Sequence, residues 1–352
     1  MRVTFVLPGS GHLPVGGFKV VYEYANRLAA RGHTVTVVHA ARFDREASPI
    51  SRFKTEVRFA QRRLDKSYRP GWFPLNPDVA LLWRATPAAA GLPDADALVA
   101  TAWQTAEWVA NYPERKGRKF YLIQHYETWS GPEARVNATF TLGLHNLAIA
   151  RWLQEVVRAQ GADADYLPNG LDFSAFGVDK PPQTREPCAM TLYHDADWKG
   201  SADGLAALKE VKVQVPELQA TLFGTPAGPT DLPTWIRYEQ KPSPARLRRL
   251  YNDASVFLAT SWTEGWGLPG CEALLCGCAL AATDVGGHRE YARQGETALL
   301  SPPRDPAALA RNVTELLRDE KLRLRLAEQG RAYVQGFSWE RAVERLEQHL
   351  KN

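Results

Sequence analysis

Apolar runs of four to eight residues recur along the chain, separated by stretches with helical spacing or by glycine-rich turns. Residues 3–7 (Val-Thr-Phe-Val-Leu), 34–38 (Thr-Val-Thr-Val-Val), 97–101, 119–124 and 147–150 read as buried strands. Between the first two, Val20, Val21, Tyr24 and Leu28 fall on one helical face of residues 18–31, and Gly32 stops that helix. Further helical segments lie near 103–111 and 152–160. The same pattern resumes later, with strands at 189–193, 220–224, 254–261 and 279–283 and a helix at 202–213. Ser338 is placed to cap a last amphipathic helix running through Val343 and Leu346. Strands alternating with helices predict parallel sheets covered on both faces, a doubly wound α/β fold. Residues 64–96 follow neither period, and no repeat appears at the solenoid scale.

The chain has 352 residues, enough for two domains that each bury a core. The turn at 166–172 closes the first half, and the proline-rich stretch 180–187 reads as a linker. The expected division is a domain at 1–178, a second at 179–336, and a closing helix at 337–352 that crosses back to the first. Charge is uneven. Residues 1–170 hold 21 Lys/Arg against 15 Asp/Glu, leaving 22 against 24 in the remainder. The densest basic run is Arg52, Lys54, Arg58, Arg62, Arg63, Lys66 and Arg69, interleaved with Phe53, Val57, Phe59, Leu64 and Tyr68. Residues 52–69 therefore predict a basic amphipathic element, which is either a solvated helix face or a surface for peripheral contact with an anionic membrane or an anionic acceptor. No stretch is apolar enough to span a bilayer and no signal-peptide pattern opens the chain, so a cytoplasmic location is expected, with peripheral contact at the inner membrane face where residues 52–69 meet lipid, and with no nucleic-acid partner. Of four cysteines, Cys271, Cys276 and Cys278 crowd together without metal-ligand spacing and read as buried structural thiols.

The most informative segment is Thr263-Glu264-Gly265-Trp266-Gly267-Leu268-Pro269-Gly270-Cys271-Glu272, two carboxylates eight positions apart around a glycine-rich turn entering an apolar helix. The glycines let backbone approach a ligand, Pro269 suits a helix start, and the unpaired N–H groups of that start attract an anion such as a diphosphate. Carboxylates at 264 and 272 can each accept hydroxyl hydrogen bonds from a sugar or ribose. A second glycine-rich loop, residues 8–17, is a poor dinucleotide fingerprint. It lacks the third glycine, and the strand after it ends at His39 rather than at an acid.

The Glu264–Glu272 segment resembles the Glu-x7-Glu signature of retaining glycosyltransferases of the GT-B fold, family 4. Lys199-Gly200, Asp284-Val285-Gly286-Gly287 and the turn Pro168-Asn169-Gly170-Leu171-Asp172 are similar to further motifs of that family, in family order. The resemblance implies two Rossmann-like domains facing a central cleft, with no cofactor and no metal, the donor being a nucleotide-diphosphate sugar and the acceptor a glycan, lipid-linked or small-molecule hydroxyl. It implies catalytic roles for His125, Glu264 and Lys199. Donor contacts would come from Gly16, Gly17, His194, Lys199, Glu264, Gly265, Trp266, Gly267, Leu268, Pro269 and Glu272. Glu127 is a candidate acceptor-side carboxylate. Where the family carries an arginine about five positions before the lysine, this chain has His194, so either His194 or Arg289 is expected to supply that charge. The segments 16–24 and 121–127 are similar to bacterial rhamnosyltransferases of surface-polysaccharide synthesis.

The triplets Asp94-Ala95-Asp96, Asp163-Ala164-Asp165 and Asp195-Ala196-Asp197 invite a metal-dependent alternative, of which only the third stands in a suitable place. Two other readings stay open on sequence: a GT-B sugar-nucleotide 2-epimerase, and a non-catalytic sugar-nucleotide or glycan-binding protein.

Overall fold

The computed structural model describes residues 1–11, 14–43 and 49–351, with backbone only for Pro49 and Arg52. His12 and Leu13 of the first glycine-rich loop, the Arg52 side chain of the basic run, and Asn352 lie outside the described residues. The chain forms two compact units, one of Met1–Pro168 with Glu340–Asn352 and one of Asn169–Trp339. Residues 169–178 belong to the second because its side chains hold them: Arg248 pairs with Asp179 and donates to the Ser174 carbonyl, and Asn252 donates to the Gly177 carbonyl.

The first unit is built from β1 (Arg2–Leu7), α1 (Gly16–Ala30), β2 (Thr34–Ala40), α2 (Pro49–Leu64), β3 (Ala80–Arg84), β4 (Ala97–Ala100), α3 (Trp103–Ala110), β5 (Arg118–Ile123), α4 (Glu133–Ala138), β6 (His145–Ala148), α5 (Arg151–Ala159) and β7 (Ala164–Tyr166). Its seven strands are ordered β3-β2-β1-β4-β5-β6-β7, and every pairing is parallel. The central strands are covered on both sides, which is why β1, β2 and β4 are buried along nearly their whole length and are rich in Val, Leu and Phe. Helix α1 lays Val20, Val21, Tyr24, Ala25 and Leu28 into the core, the face expected from its spacing.

The second unit contains β8 (Cys188–Leu192), α6 (Ser201–Gln214), β9 (Gln219–Gly224), β10 (Ile236–Gln240), α7 (Pro244–Asp253), β11 (Val256–Ala259), α8 (Leu268–Leu275), β12 (Ala279–Thr283), β13 (Leu299–Ser301), α9 (Pro306–Arg318) and α10 (Glu320–Val334). The sheet order β10-β9-β8-β11-β12-β13 is again all parallel. Its core joins Leu208 and Val211 of α6 and Leu309, Val313 and Leu316 of α9 to Val256 and Leu258 of β11. Each such fully buried leucine or valine contributes about 1.5–3 kcal/mol.

The last helix, α11 (Trp339–Lys351), begins directly after Ser338 and from Glu340 onward packs with the first unit. Val343, Leu346 and Leu350 are buried, and Glu347 pairs with Arg31 and His33. Both sheets change strand order beside their first strand, β1/β4 and β8/β11, and ligands of such sheets bind beyond the carboxyl ends of the strands there. Among the described residues no helix is long and apolar enough to cross a membrane.

Candidate functional site

In the second unit the chemistry-bearing residues follow the carboxyl ends of β8, β11 and β12. The segment after β8 carries His194 and Lys199, the loop after β11 carries Ser261 and Glu264, and the turn after β12 carries Gly287 and His288. Two cross-links hold the first two segments together: Thr260 Oγ1 donates to the Lys199 carbonyl at 2.8 Å, and the Trp262 amide donates to the Trp198 carbonyl at 2.7 Å. Lys199 Nζ in turn donates to Glu264 Oε1 at 2.7 Å, and Ser261 Oγ donates to the same oxygen at 2.8 Å. The side chains are 23% and 12% exposed, so the pair is shielded yet open to a ligand. Burial pushes the Glu264 carboxyl up, but the adjacent Lys199 charge and the two hydrogen bonds outweigh it and hold the group below the usual carboxylate range.

Two glycines are required by this geometry. Gly267 caps α8 with φ of 89°, in the left-handed region. A Cβ at Gly287 would stand 2.5 Å from the Glu264 carbonyl oxygen, so only glycine lets the β12 turn close on the Glu264 loop. Helix α8 has no side-chain cap; Pro269 carries no N–H and the Gly270 N–H donates to the Gly267 carbonyl at 3.1 Å, so the Leu268 N–H and the positive end of the helix are what α8 offers an anion. Lys199, Glu264, Gly267, Pro269, Gly270 and His288 line one small pocket.

The remaining residues singled out by sequence take varied places. Glu272 stands in the fifth position of α8, 8% exposed, and accepts a hydrogen bond from the buried Tyr251 hydroxyl at 3.2 Å. Gly265 and Trp266 are buried, and the Trp266 ring packs edge-on against Phe337. His194 Nδ1 accepts from the Ala196 amide at 2.9 Å, and burial followed by the Lys199 charge lowers its basicity. The imidazole is therefore neutral at pH 7 and offers an Nε2–H donor rather than a cation. Arg289 makes a two-pronged pair with Asp284, at 2.6 and 3.0 Å, which offsets its charge locally. The three crowded cysteines are buried, and burial raises the Cys276 thiol to about 12.

His288 and Ser261 were not marked by sequence reasoning as site residues. His288 is 2% exposed, its Nδ1 donates to the Thr283 carbonyl at 2.9 Å, and burial lowers its pKa. The available signal was positional: each lies within five residues of the carboxyl end of a strand that borders the motif loop, β11 for Ser261 and β12 for His288.

In the first unit, Gly16 and Gly17 open α1 beyond the end of β1, and a Cβ on Gly17 would touch the Gln124 side chain at 3.3 Å. Gln124 and His125 follow β5, so the helix start and the histidine belong to one end of the sheet. His125 lies edge-on to Trp129 and Trp152, with centroids at 4.4 and 5.7 Å. Glu127 Oε2 accepts from the Trp103 amide at the start of α3, at 3.1 Å, and burial raises this carboxyl to about 7. His39 is buried, hydrogen-bonded to Tyr22 and the Gly9 carbonyl, and fills the place where a dinucleotide fold carries its acid.

Residues 196–333 match the family model of glycosyl transferases group 1, a span that contains Lys199, Glu264, Glu272 and His288. The phosphatidyl-myo-inositol mannosyltransferase of Mycobacterium tuberculosis is 26% identical, over 96% of this chain and 93% of that protein. The O-antigen biosynthesis protein RfbC of Myxococcus xanthus is 28% identical over 74% of this chain, which spans only 21% of that longer protein. Among solved structures, HepE of Anabaena in complex with UDP superimposes with a TM-score of 0.76 at 16% identity, covering all of both chains. Sucrose-phosphate synthase from Thermosynechococcus elongatus gives 0.73 at 18% identity, over 99% of this chain and 98% of that one. The fold is that of GT-B enzymes, and within it residues 196–333 of the second unit match the group 1 glycosyltransferases.

Proposed function

We propose that the protein is a metal-independent, retaining glycosyltransferase of family 4 that moves a sugar from a nucleotide-diphosphate sugar to a hydroxyl of a glycan, lipid-linked or small-molecule acceptor. The observation that carries this reading is the Lys199–Glu264 pair beside the uncapped start of α8. A donor diphosphate competes with Glu264 for the Lys199 ammonium and lies at the positive end of α8, a setting that needs no metal cation. Glu264, released from Lys199 but still held by Ser261, then accepts hydrogen bonds from the sugar hydroxyls. In the transfer the anomeric carbon–phosphate oxygen bond breaks while the acceptor oxygen bonds to the same face, and the acceptor proton passes to the departing phosphate oxygen. Neutral His194 contributes an N–H donor. Glu272 binds the ribose, His125 hydrogen-bonds a sugar hydroxyl, and Glu127 serves the acceptor. HepE, solved with UDP and glucose, lends support to a nucleotide-diphosphate donor by likeness of fold.

The test is a thermal-unfolding series with UDP, GDP, dTDP and ADP and their common sugar conjugates, on the native chain and on Lys199→Ala. A nucleotide that binds the folded state raises the melting temperature with concentration. A rise with one nucleotide that Lys199→Ala abolishes supports the reading; no rise with any compound overturns it. With the donor known, turnover in excess chelator tests metal independence, and the anomeric configuration of the product tests retention.

Helix α2 supports the membrane part of the proposal, action at the cytoplasmic membrane face. Ile50, Phe53, Val57 and Leu64 form an exposed apolar stripe, 50–85% accessible, flanked by exposed Lys54, Arg58 and Arg63. The opposite face is anchored, with Phe59 stacked on Trp83 and Arg62 over the same ring.

A further inference from the structure

The first unit carries a cluster of ligand-type side chains that the proposed transfer does not use. His145 opens β6, Asp165 lies in β7 and His349 sits in the last turn of α11, yet one nitrogen or oxygen from each falls within 4.8 Å of the others. His145 Nε2 is 2.7 Å from Asp165 Oδ2, and His349 Nδ1 is 3.3 Å from that same oxygen. The fold sets this up. In the parallel register Leu147 lies opposite Asp165, so His145, two residues before Leu147, shares a sheet face with Asp165. Helix α11 buries Leu346 and Leu350, which brings His349, one turn beyond Leu346, to the same edge.

We propose that His145, Asp165 and His349 bind a divalent transition cation of the Zn²⁺ type, which clasps the last turn of α11 to the edge of the first sheet. Two imidazoles and one carboxylate are a nitrogen–oxygen donor set suited to Zn²⁺, Co²⁺, Ni²⁺ or Cu²⁺, whereas Mg²⁺ and Ca²⁺ ask for oxygen ligands. Zinc–ligand bonds of about 2.0–2.2 Å place tetrahedral donors roughly 3.3–3.6 Å apart. The cluster therefore needs only small side-chain shifts, and His145 and Asp165, 41% and 51% exposed, have room for them. Water completes the coordination.

The position argues for a structural role. Phe120 of β5 pairs with His145, which puts the cluster at the amino ends of these strands, while His125 follows the carboxyl end of β5. Arg31 and His33 already hold Glu347 in the same helix, and the ion extends that anchorage to the end of α11.

The test is calorimetric titration of Zn²⁺, in a non-coordinating buffer, into the full chain after chelator treatment and dialysis, with thermal unfolding in parallel. The expected result is one Zn²⁺ per chain and a melting temperature that rises with Zn²⁺ and not with Mg²⁺. Affinity should fall at least about tenfold in each of His145→Ala, Asp165→Asn and His349→Ala. Visible d–d absorption on Co²⁺ substitution should disappear in the same variants. Absence of saturable binding by the native chain overturns the proposal, as does native affinity in His145→Ala and His349→Ala. Far-UV circular dichroism of the metal-free variants identifies any that fails to fold, for which the Gln variant substitutes. Turnover is not the readout, so the outcome is independent of the nucleotide screen.

Discussion

The two units use the same doubly wound sheet but prepare their carboxyl ends in different ways. In the second unit Glu264 is fixed by charge and close backbone contact: a lysine, a serine hydroxyl and a glycine against its own carbonyl. In the first, His125 is bounded by two tryptophan rings and Glu127 rests on one amide, burial alone raising its pKa. The contrast follows the chemistry each end is proposed to meet. A diphosphate leaving group needs positive charge and N–H groups set in advance, and such a site tolerates little displacement. An acceptor hydroxyl needs a surface that fits and at most a weak base, which apolar walls and a half-ionised carboxyl supply.

The sharpest test of that difference is Lys199→Ala. Removing the cation should lower kcat/KM by about 10²–10³-fold, the scale of losing a main electrostatic contact to the developing charge. Initial rates at donor concentrations well below KM would check it, and a loss of less than tenfold would mean that the charge comes from elsewhere. Gly287→Ala should act next most strongly, through structure. The new Cβ meets the Glu264 carbonyl at 2.5 Å, so the turn or the loop must shift, at a cost of about 1–3 kcal/mol in urea unfolding. Stability equal to the native chain would show that the β12 turn is not closed on the loop as described.

What was legible in the sequence follows the same divide. The proposed donor-side residues stand out because the second unit concentrates them in short segments after strands: the strand–loop–helix–strand pattern brings Glu264 and the 286–287 turn to one end of the sheet, and the family resemblance adds Lys199. The central strands are equally plain, since burial on both faces leaves unbroken apolar runs such as 256–259 and 279–283. The strands that the pattern passes over, β3, β7, β10 and β13, are the four edges of the two sheets. Edge strands have one side without a neighbouring strand, and β7 and β10 mix polar with apolar residues accordingly. Region 64–96 was opaque for this reason, its one strand being β3. Clusters assembled from distant elements leave no local trace. Asp165 read as part of an Asp-x-Asp triplet, whereas its partners in space are His145 and His349.

A third prediction addresses the weak base of the first unit. Glu127 has a folded pKa near 7 against about 4.3 unfolded. The folded state therefore holds a proton that the unfolded state has lost across that window, and stability should fall as pH rises from about 4.5 to 7 and level off above. Glu127→Gln should remove that portion of the slope, as measured by urea unfolding at several pH values. If Glu127 also takes part at the acceptor, the native pH–rate profile should bend near pH 7 and the variant should lose the bend. A slope unchanged by the substitution would place the carboxyl in ordinary solvent and erase half of the contrast between the units.

The smallest effect on stability is expected at α2, and its smallness is the point. Phe53 and Leu64 are 69% and 85% exposed, so Phe53→Ser with Leu64→Ser removes little buried surface and should leave the urea midpoint within about 0.5 kcal/mol of native. The same double substitution should sharply reduce retention on vesicles rich in anionic lipid at low salt, because the apolar stripe supplies insertion while Lys54, Arg58 and Arg63 supply only attraction. Retention lost to salt but not to the serines would make α2 a charged docking face. Retention lost to neither would assign the stripe no part in membrane contact. A protein that keeps its stability while losing its membrane is what separates a surface kept apolar for a partner from one kept apolar for the fold.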